Sequence, residues 1–327
     1  MSVMLDEIKQ DGKSILRTVE SVRKSAGEAA DALLGSDYVI ITGSGTSYHA
    51  GLSLQISLLK EDVPAVLVKA PDFENYIPGK PEKKVAVVVM SQSGESADAL
   101  NALNLSAVCG ARVIGITNEE NSSLAHKADI SVLTSAGSET AIAATKSYVA
   151  QLTAVALIQG HLHGMDPMSY VTEIASWADN ATSHTGEYEH LSRALKSRIV
   201  FLGNGYMFGT ALEGALKFRE TGNLLTEAYQ IREYLHGPIQ TLDADTSVMI
   251  LRDAYDGYSP VISEMKKYTS SIITMGSAEM DTVKLPYDPG MFAPIRYSIP
   301  IQLLAYYKAN SMGLNPDKPE KLTKVVK

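Results

Sequence analysis

Hydrogen-bonding side chains are crowded into the stretch "SQSGESADAL" (residues 91–100), which directly follows the apolar run "VAVVVM". They belong to Ser91, Gln92, Ser93 and Ser96, and no lysine or arginine accompanies them. A strand that ends at the start of a helix presents backbone N–H groups and the positive end of the helix dipole, both of which favour an anion. A single serine is enough to cap a helix. The surplus of neutral donors therefore predicts a binding site for a phosphate monoester.

A second strand-to-helix turn, "TGSGTSYHAG" (42–51), contains Gly45, Thr46 and Ser47. Its glycine spacing departs from G-x-G-x-x-G, and the next apolar run ends without the acidic residue that would bind a ribose, so a dinucleotide site is disfavoured. A third stretch, "TSAGSETAIAATKSY" (134–148), places small and hydroxyl residues before a helix that carries Lys146. We expect it to line the same crevice.

Charged residues at helical spacing occur in "ALEGALKFRETG", where Glu213, Lys217 and Glu220 fall on one helix face. Such a stripe is commonly a solvated row of ion pairs. Here the intervening residues are mostly Ala, Leu, Gly and Phe, which predicts a largely buried helix, and buried charges favour a functional role. His236 precedes a Gly-Pro turn at a helix end. A lone histidine in a turn is more often structural, so the residues alone leave its role open.

The elements that must position these residues alternate between β-branched runs and helix-length segments. The runs are nearly continuous in apolar residues, as in parallel sheets that are covered on both faces. Both halves of the chain open with a strand, a Gly-x-Gly turn and a helix, as in one unit used twice. We predict an α/β protein with two doubly wound, flavodoxin-like parallel-sheet domains of three αβα layers, related by internal duplication. The predicted strands cover 38–43, 65–70, 85–90, 112–117 and 130–135, then the start of 198–217, 247–252, 271–276 and 282–287.

The two halves differ after matching strands, where the first has "SQSGES" and the second "RDAYDGYSP". This contrast favours a ligand site in the first half only. The predicted segments are a helical lead-in over 1–35, a ligand-binding domain over 36–165, a helical connection over 166–193, a domain with the catalytic helix over 194–310 and a polar tail over 311–327.

Composition limits the function classes. The chain of 327 residues has a formal net charge of -8, which argues against binding to nucleic acid. Its one cysteine, Cys109, excludes an intrachain disulfide framework and a cysteine-based zinc site. We expect a cytoplasmic protein without a membrane partner, because no apolar run reaches membrane-spanning length.

Seven segments, in order over nearly the whole chain, carry a resemblance to a known family: "GTSYHAGL", "SQSGESADAL", "GITNEENSSLAHKAD", "TKSYVAQLTAV", "ALEGALKFRE", "TEAYQIREYLHGP" and "DKPEKLTKVV". The chain resembles the sugar isomerase (SIS) domain family. Within it, the chain is similar to the isomerase half of the glucosamine-6-phosphate synthases, which are glutamine–fructose-6-phosphate aminotransferases, and to stand-alone SIS-type glucosamine-6-phosphate deaminases.

The resemblance implies a role for individual residues. Glu220 matches the base that moves a proton between C1 and C2, and Lys217 and Glu213 match its helpers. His236 matches the histidine that assists ring opening and reaches into the neighbouring subunit's site, which implies a homodimer. Lys324 matches the lysine that forms a Schiff base with the ketose carbonyl. No metal or organic cofactor is implied. The sugar-phosphate site would comprise Gly45, Thr46, Ser47, Ser91, Gln92, Ser93, Ser96 and Ala144, the last of which replaces a serine of the synthases.

These implications predict an enzyme that converts glucosamine 6-phosphate and water into fructose 6-phosphate and ammonia. Alternatives within the family are an ammonia-dependent synthase running in reverse, a fructosamine-phosphate deglycase and a hexose-phosphate isomerase. A non-catalytic sugar-phosphate-binding regulator belongs to a different class, which Glu220, His236 and Lys324 disfavour. We expect the glutaminase half to be missing, because its N-terminal cysteine nucleophile has no counterpart at Met1-Ser2. A separate glutaminase subunit stays open, although nothing in the sequence indicates one.

Overall fold

The computed structural model describes residues 2–79, 82–253 and 258–324. Residues 254–257, inside the segment "RDAYDGYSP", and the end of the tail lie outside the described residues. The chain forms two compact units. Unit 1 comprises 1–9, 140–143 and 180–322, and unit 2 comprises 10–139, 144–179 and 323–327. The domain boundaries drawn from the sequence stay a prediction.

Helices and strands alternate in both units. The strands are β1 (Tyr38–Gly43), β2 (Ala65–Lys69), β3 (Val85–Met90), β4 (Arg112–Thr117), β5 (Ile130–Leu133), β6 (Arg198–Gly203), β7 (Leu225–Tyr229), β8 (Thr246–Leu251), β9 (Ile272–Gly276) and β10 (Val283–Lys284). The α-helices are α1 (Val3–Ile8), α2 (Asp11–Leu34), α3 (Thr46–Lys60), α4 (Ala97–Cys109), α5 (Ser123–Lys127), α6 (Lys146–Leu162), α7 (Met168–Ser183), α8 (Gly186–Ala194), α9 (Tyr206–Gly222), α10 (Tyr258–Met265) and α11 (Ala293–Ser311). Short 3-10 turns cover Ala70–Asn75, Glu233–His236 and Pro238–Thr241.

Unit 2 is built on a parallel sheet of strand order β2-β1-β3-β4-β5. All six residues of β3 are buried, because successive side chains of a strand point to opposite faces and both faces are covered. On one face, side chains of β3 and α4 share a core cluster that includes Val87, Val89 and Leu103. Helix α6 packs against both α2 and α3, and nearly every residue of α6 is buried.

Unit 1 repeats this arrangement with the order β10-β9-β8-β6-β7, again with parallel pairs throughout. Read from the other edge, it is the same order as in unit 2. The prediction of two doubly wound parallel-sheet domains is therefore confirmed. In this topology the loops after the first and third strands of each sheet diverge, and such a crevice at the carboxyl ends of strands is where ligands bind in open α/β sheets.

The structure corrects three of the strand assignments. β7 was not predicted; it lies at the edge of its sheet, and Thr226 and Glu227 interrupt the apolar pattern that marks a central strand. β10 has two residues instead of the six expected over 282–287. β5 ends at Leu133, two residues before the predicted end.

Helix α9, which carries three candidate residues, approaches its sheet closely at Gly214. A Cβ atom at this position would lie 2.5 Å from Cε1 of Phe201 in β6, and the Phe201 ring is fully buried. Glycine here allows the helix to contact the ring directly. The helix ends at Asn223, whose φ of 51° is the left-handed conformation typical of helix ends.

We expect Gly214→Ala to destabilise the protein by about 1–3 kcal/mol, because the added methyl group overpacks the core. Alanine is the better helix former by about 1 kcal/mol, so helix propensity alone predicts that Gly214→Ala is more stable than the wild type. The measurement is the shift of the urea unfolding midpoint. Gly186→Ala in α8 is the matched control, since its Cβ would meet no atom within 4 Å. Equal midpoints for the two variants would contradict the packing argument.

Candidate functional site

The serine-rich loop that follows β3 in unit 2 is folded by its own hydroxyl groups. Ser91 Oγ accepts the Gly94 N–H at 3.1 Å, and Ser93 Oγ accepts the Glu95 N–H at 3.2 Å. Gly94 has a φ of 63°, and a Cβ there would lie 2.2 Å from Ser122 Oγ. Only glycine fits this turn without displacing its neighbour.

The same loop is held in place by hydrogen bonds from two backbone N–H groups that follow β4 in the chain. The Gln92 carbonyl oxygen accepts the Asn118 N–H at 3.0 Å, and the Glu95 carboxylate accepts the Ser123 N–H at 2.5 Å. The loop therefore has a defined conformation. Gln92 and Ser93 are partly exposed, so their side chains are accessible to a ligand.

Ser96 occupies the residue before α4, where a serine would normally cap the helix. Its side chain makes no capping hydrogen bond; its hydroxyl lies 3.5 Å from Ser91 Oγ. Helix capping therefore does not explain this residue. Binding of a phosphate by Ser91, Gln92, Ser93 and Ser96 stays a prediction.

The turn after β1 begins beside this loop, because Gly43 and Met90 are paired in the register of β1 and β3. Gly45 has a φ of 51° and is followed directly by Thr46, the first residue of α3. Ser47 is buried, and its Oγ accepts a hydrogen bond of 3.0 Å from Gln151 Nε2. The structure thus brings the two predicted ligand-binding turns to one edge of one sheet.

The stretch before α6 is organised by Glu139, which the sequence analysis did not single out. Its Oε1 accepts the N–H groups of Thr145 and Ser147 at 2.9 and 3.1 Å, and its Oε2 accepts the Ser147 hydroxyl at 2.6 Å. Ala144 lies within this stretch and is partly buried. Lys146 is buried, and its Nζ donates to Gln10 Oε1 at 2.8 Å.

Lys324, the tail residue predicted to form a Schiff base, forms an ion pair with Glu139. Its Nζ lies 2.8 Å from Glu139 Oε2. Burial acts to raise the pKa of Glu139, but the charge of Lys324 and the hydrogen bonds from Lys324, Ser147 and Thr145 outweigh burial and lower that pKa. Glu139 is thus a carboxylate at neutral pH.

Asp11, the first residue of α2, is a second acidic group that the sequence analysis missed. It is fully buried, and neither carboxyl oxygen has a hydrogen-bond partner among the residues that the structure describes. Burial and the nearby charge of Glu139 raise the pKa of Asp11 well above its ordinary value, against the opposing effect of Lys146. An amphipathic helix pattern does not reveal such a residue, because an aspartate in the first turn is expected on electrostatic grounds.

In unit 1, the predicted face of α9 forms a connected set of charges. Lys217 Nζ lies 2.5 Å from Glu220 Oε2 and 3.2 Å from Glu213 Oε1. The side chains of Lys217 and Glu213 are buried, whereas that of Glu220 is 21% exposed. Burial acts to lower the pKa of Lys217, but the two carboxylates outweigh burial and raise it, so the residue stays an ammonium.

His236 lies at the end of the 3-10 turn Glu233–His236 and is exposed. The turn is anchored by the buried side chain of Tyr234, which packs in a core cluster with Ile231 and Val248. Gly237 follows with a φ of 141°, a conformation that other residues rarely adopt. The fold therefore presents the histidine on the surface of the chain.

The family model for the SIS domain matches residues 32–158 and 194–270. These two stretches contain both serine-containing turns and the whole of α9. The chain belongs to the SIS domain family.

Relatives of this SIS protein include enzymes named glutamine–fructose-6-phosphate aminotransferase. Those of Pyrobaculum aerophilum and Sulfolobus acidocaldarius are both 32% identical to it, and each alignment covers 99% of this chain. The chain spans 57% and 56% of the length of these two relatives.

Solved structures show the same fold. The C-terminal domain of glucosamine-fructose-6-phosphate aminotransferase from Francisella tularensis is 25% identical, with a TM-score of 0.81 over 98% of each chain. Glucosamine-6-phosphate deaminase from Thermotoga maritima is 24% identical, with a TM-score of 0.84 over 99% of each chain.

Two further properties concern the described part of the SIS protein. None of its helices there is long and apolar enough to cross a membrane. Its histidine, cysteine, aspartate and glutamate side chains there form no group of three or more that could hold a metal ion.

We expect Lys217→Met to destabilise the protein by about 3 kcal/mol or more, because it removes the positive charge that compensates a buried carboxylate. The double variant Glu213→Gln/Lys217→Met should recover part of this loss. Thermal and urea unfolding midpoints measure both effects.

Lys267→Met is the matched control, since Lys267 pairs with Glu264 at the same i, i+3 spacing but is largely exposed. Its midpoint should stay nearly unchanged, because exposed ion pairs contribute little. Similar losses for Lys217→Met and Lys267→Met would show that burial of the α9 charges is energetically unimportant.

Proposed function

We propose that the SIS protein is an amino-sugar phosphate deaminase and isomerase that converts glucosamine 6-phosphate and water into fructose 6-phosphate and ammonia. The observation that carries the proposal is the set of charges on α9. A buried ammonium, Lys217, holds Glu220, and Glu220 is the member of the set whose side chain reaches solvent. A positioned carboxylate of this kind is suited to proton transfer between two carbon atoms.

The reaction divides into steps that these side chains can assist. His236 would open the sugar ring by moving a proton from the C1 hydroxyl to the ring oxygen, since a histidine exchanges protons near neutral pH. Glu220 would then remove the proton from C2 of the aldehyde, which gives an enolamine, and return it to C1. The product of that transfer is a ketimine at C2. Ammonia then leaves from C2, and water supplies the carbonyl oxygen of the ketose.

Lys217 and Glu213 would act through Glu220 without touching the sugar. The Lys217 ammonium orients the Glu220 carboxylate and also compensates the buried charge of Glu213. Because Lys217 is buried, this orientation is held by packing as well as by charge. A base whose rotamer is fixed in this way loses little freedom when the transition state forms.

The hydroxyl-rich turns of unit 2 would bind the phosphate group. Ser91, Ser93 and Ser96 offer hydroxyl groups, and Gln92 offers an amide. The start of α4 adds the helix dipole. Neutral donors can bind a dianion at such a position without a cationic side chain. The Lys324 amine would assist the exchange of nitrogen at C2 by forming an iminium there, with loss of ammonia from the ketimine in the deaminating direction and with loss of water from the C2 carbonyl in the reverse direction.

Mass action favours the deaminating direction, since water is the solvent and ammonia must be supplied. A second candidate is the reverse reaction, synthesis of glucosamine 6-phosphate from fructose 6-phosphate and ammonia. The names of the relatives, which are aminotransferases, favour this candidate. Both directions use the same proton transfer by Glu220.

Purified protein should release ammonia from glucosamine 6-phosphate and form fructose 6-phosphate in equal amounts. Glu220→Gln should reduce kcat by roughly 100-fold or more, because the proton-transferring group is lost. Its affinity for the sugar phosphate, measured by calorimetry, should stay close to that of the wild type.

Fructose 6-phosphate with ammonium chloride provides the comparison for direction. Formation of glucosamine 6-phosphate without detectable ammonia release in the forward assay would favour the synthase. Ammonia release that persists in Glu220→Gln would place the base elsewhere.

We further propose a homodimer in which each site takes His236 from the other chain. Glu220→Gln and His236→Asn would each be inactive alone. A mixture refolded or exchanged at equal amounts should recover about a quarter of the wild-type activity, because half of the dimers are mixed and each mixed dimer has one intact site. Light scattering gives the mass of the active species. No recovery in a mixture proven to contain mixed dimers would place His236 and Glu220 of one chain in the same site.

A further inference from the structure

Glu139 accepts hydrogen bonds from five donors, although its side chain is fully buried. Oε1 accepts the Thr145 N–H, the Thr145 hydroxyl and the Ser147 N–H at 2.9, 3.2 and 3.1 Å. Oε2 accepts the Ser147 hydroxyl at 2.6 Å and Lys324 Nζ at 2.8 Å. A buried carboxylate needs this degree of hydrogen bonding to remain charged.

Four of these donors belong to the start of α6. Thr145 precedes the helix and Ser147 is its second residue, so their N–H groups are among those that have no partner within the helix. The carboxylate satisfies them and lies at the positive end of the helix dipole. Since α6 is almost entirely buried, the position of Glu139 is fixed by the core of unit 2.

The fifth donor is different, because it comes from the end of the chain. Lys324 is 185 residues from Glu139 in sequence, and its side chain is 27% exposed. Two other lysines of the same tail, Lys318 and Lys321, are exposed. The ion pair thus holds the amino group of Lys324 beside the stretch that contains Ala144, whereas the other two lysines lie on the surface.

We propose that Glu139 is a positioning residue for Lys324: it couples the start of α6, at Thr145 and Ser147, to the docking of the tail lysine. The catalytic part of this inference rests on the proposed function, in which Lys324 acts on the sugar carbonyl. Docking itself does not depend on the reaction. The competing explanation is that Glu139 only caps α6.

A double-mutant cycle separates the two explanations. The variants are Glu139→Gln, Lys324→Met and the combination, and the quantities are kcat, KM for glucosamine 6-phosphate and the amide hydrogen exchange of residues 320–324 in the ligand-free protein. We expect Glu139→Gln to lower kcat by roughly 10- to 100-fold and to speed exchange of the tail. When Lys324→Met is already present, the addition of Glu139→Gln should lower kcat no further. KM should change by less than about twofold, since the phosphate-binding turns are untouched.

Two controls keep the test decisive. Lys321→Met removes an exposed lysine of the same tail and should behave as the wild type. Glu139→Asp retains the charge on a shorter side chain and should restore part of the kcat lost in Glu139→Gln, which also provides a folded variant if Glu139→Gln unfolds. The proposal would be overturned in favour of helix capping if Glu139→Gln lowered kcat equally in the wild type and in Lys324→Met. Unchanged amide exchange of the tail in Glu139→Gln would overturn it as well.

The outcomes also distinguish this inference from the proposed function. Slow tail exchange that depends on Glu139, in a protein that releases no ammonia, would support docking and refute the deaminase. Ammonia release with additive effects in the cycle would support the deaminase and refute the coupling.

Discussion

Parallel pairing with the order 2-1-3-4-5 is the constraint on which the other features of each unit depend. It requires every strand to run in the same direction, so that all carboxyl ends reach one edge of the sheet. In unit 2 this brings Gly43 and Met90 into register, and the two hydroxyl-rich turns begin there. The order also buries the central strands on both faces, which explains their uninterrupted apolar runs.

Buried charges impose a second constraint, and each unit meets it differently. In unit 1 the Lys217 ammonium is compensated by two carboxylates on its own helix, so the arrangement is local and follows from spacing. In unit 2 the Glu139 carboxylate is compensated by a helix start and by a lysine from the far end of the chain. Removing one partner of a buried pair is costly, because the other charge is left without compensation. Both arrangements therefore fix the positions of charged groups more firmly than surface pairs would.

The fold could be predicted from the sequence because its central strands are uninterrupted apolar runs. The ranges of β1, β3 and β4 match the apolar runs residue for residue. β7 was not predicted because it is an edge strand, in which Thr226 and Glu227 break the apolar run that a central strand would have. The α9 charges were predicted to share a face because helical periodicity alone determines it. The burial of Glu213 and Lys217 depends on the packing of α9 within unit 1, including its packing with α11, which the residue types only suggested.

The network around Glu139 could not be predicted from residue types or spacing, because it depends on a contact across 185 residues.

Asp11 is a second residue whose environment could not be predicted from the sequence. A buried carboxyl group without a hydrogen-bond partner destabilises the folded state, and burial raises its pKa. Above the pKa of the unfolded state, folding must either bind a proton at Asp11 or bury its charge, so the contribution of Asp11 to folding becomes less favourable as the pH rises. Local sequence rules favour an aspartate in a first helical turn, so the sequence makes Asp11 look ordinary. The charged neighbours of Asp11 are Glu139 and Lys146, so its burial destabilises the same network that holds the tail lysine, Lys324.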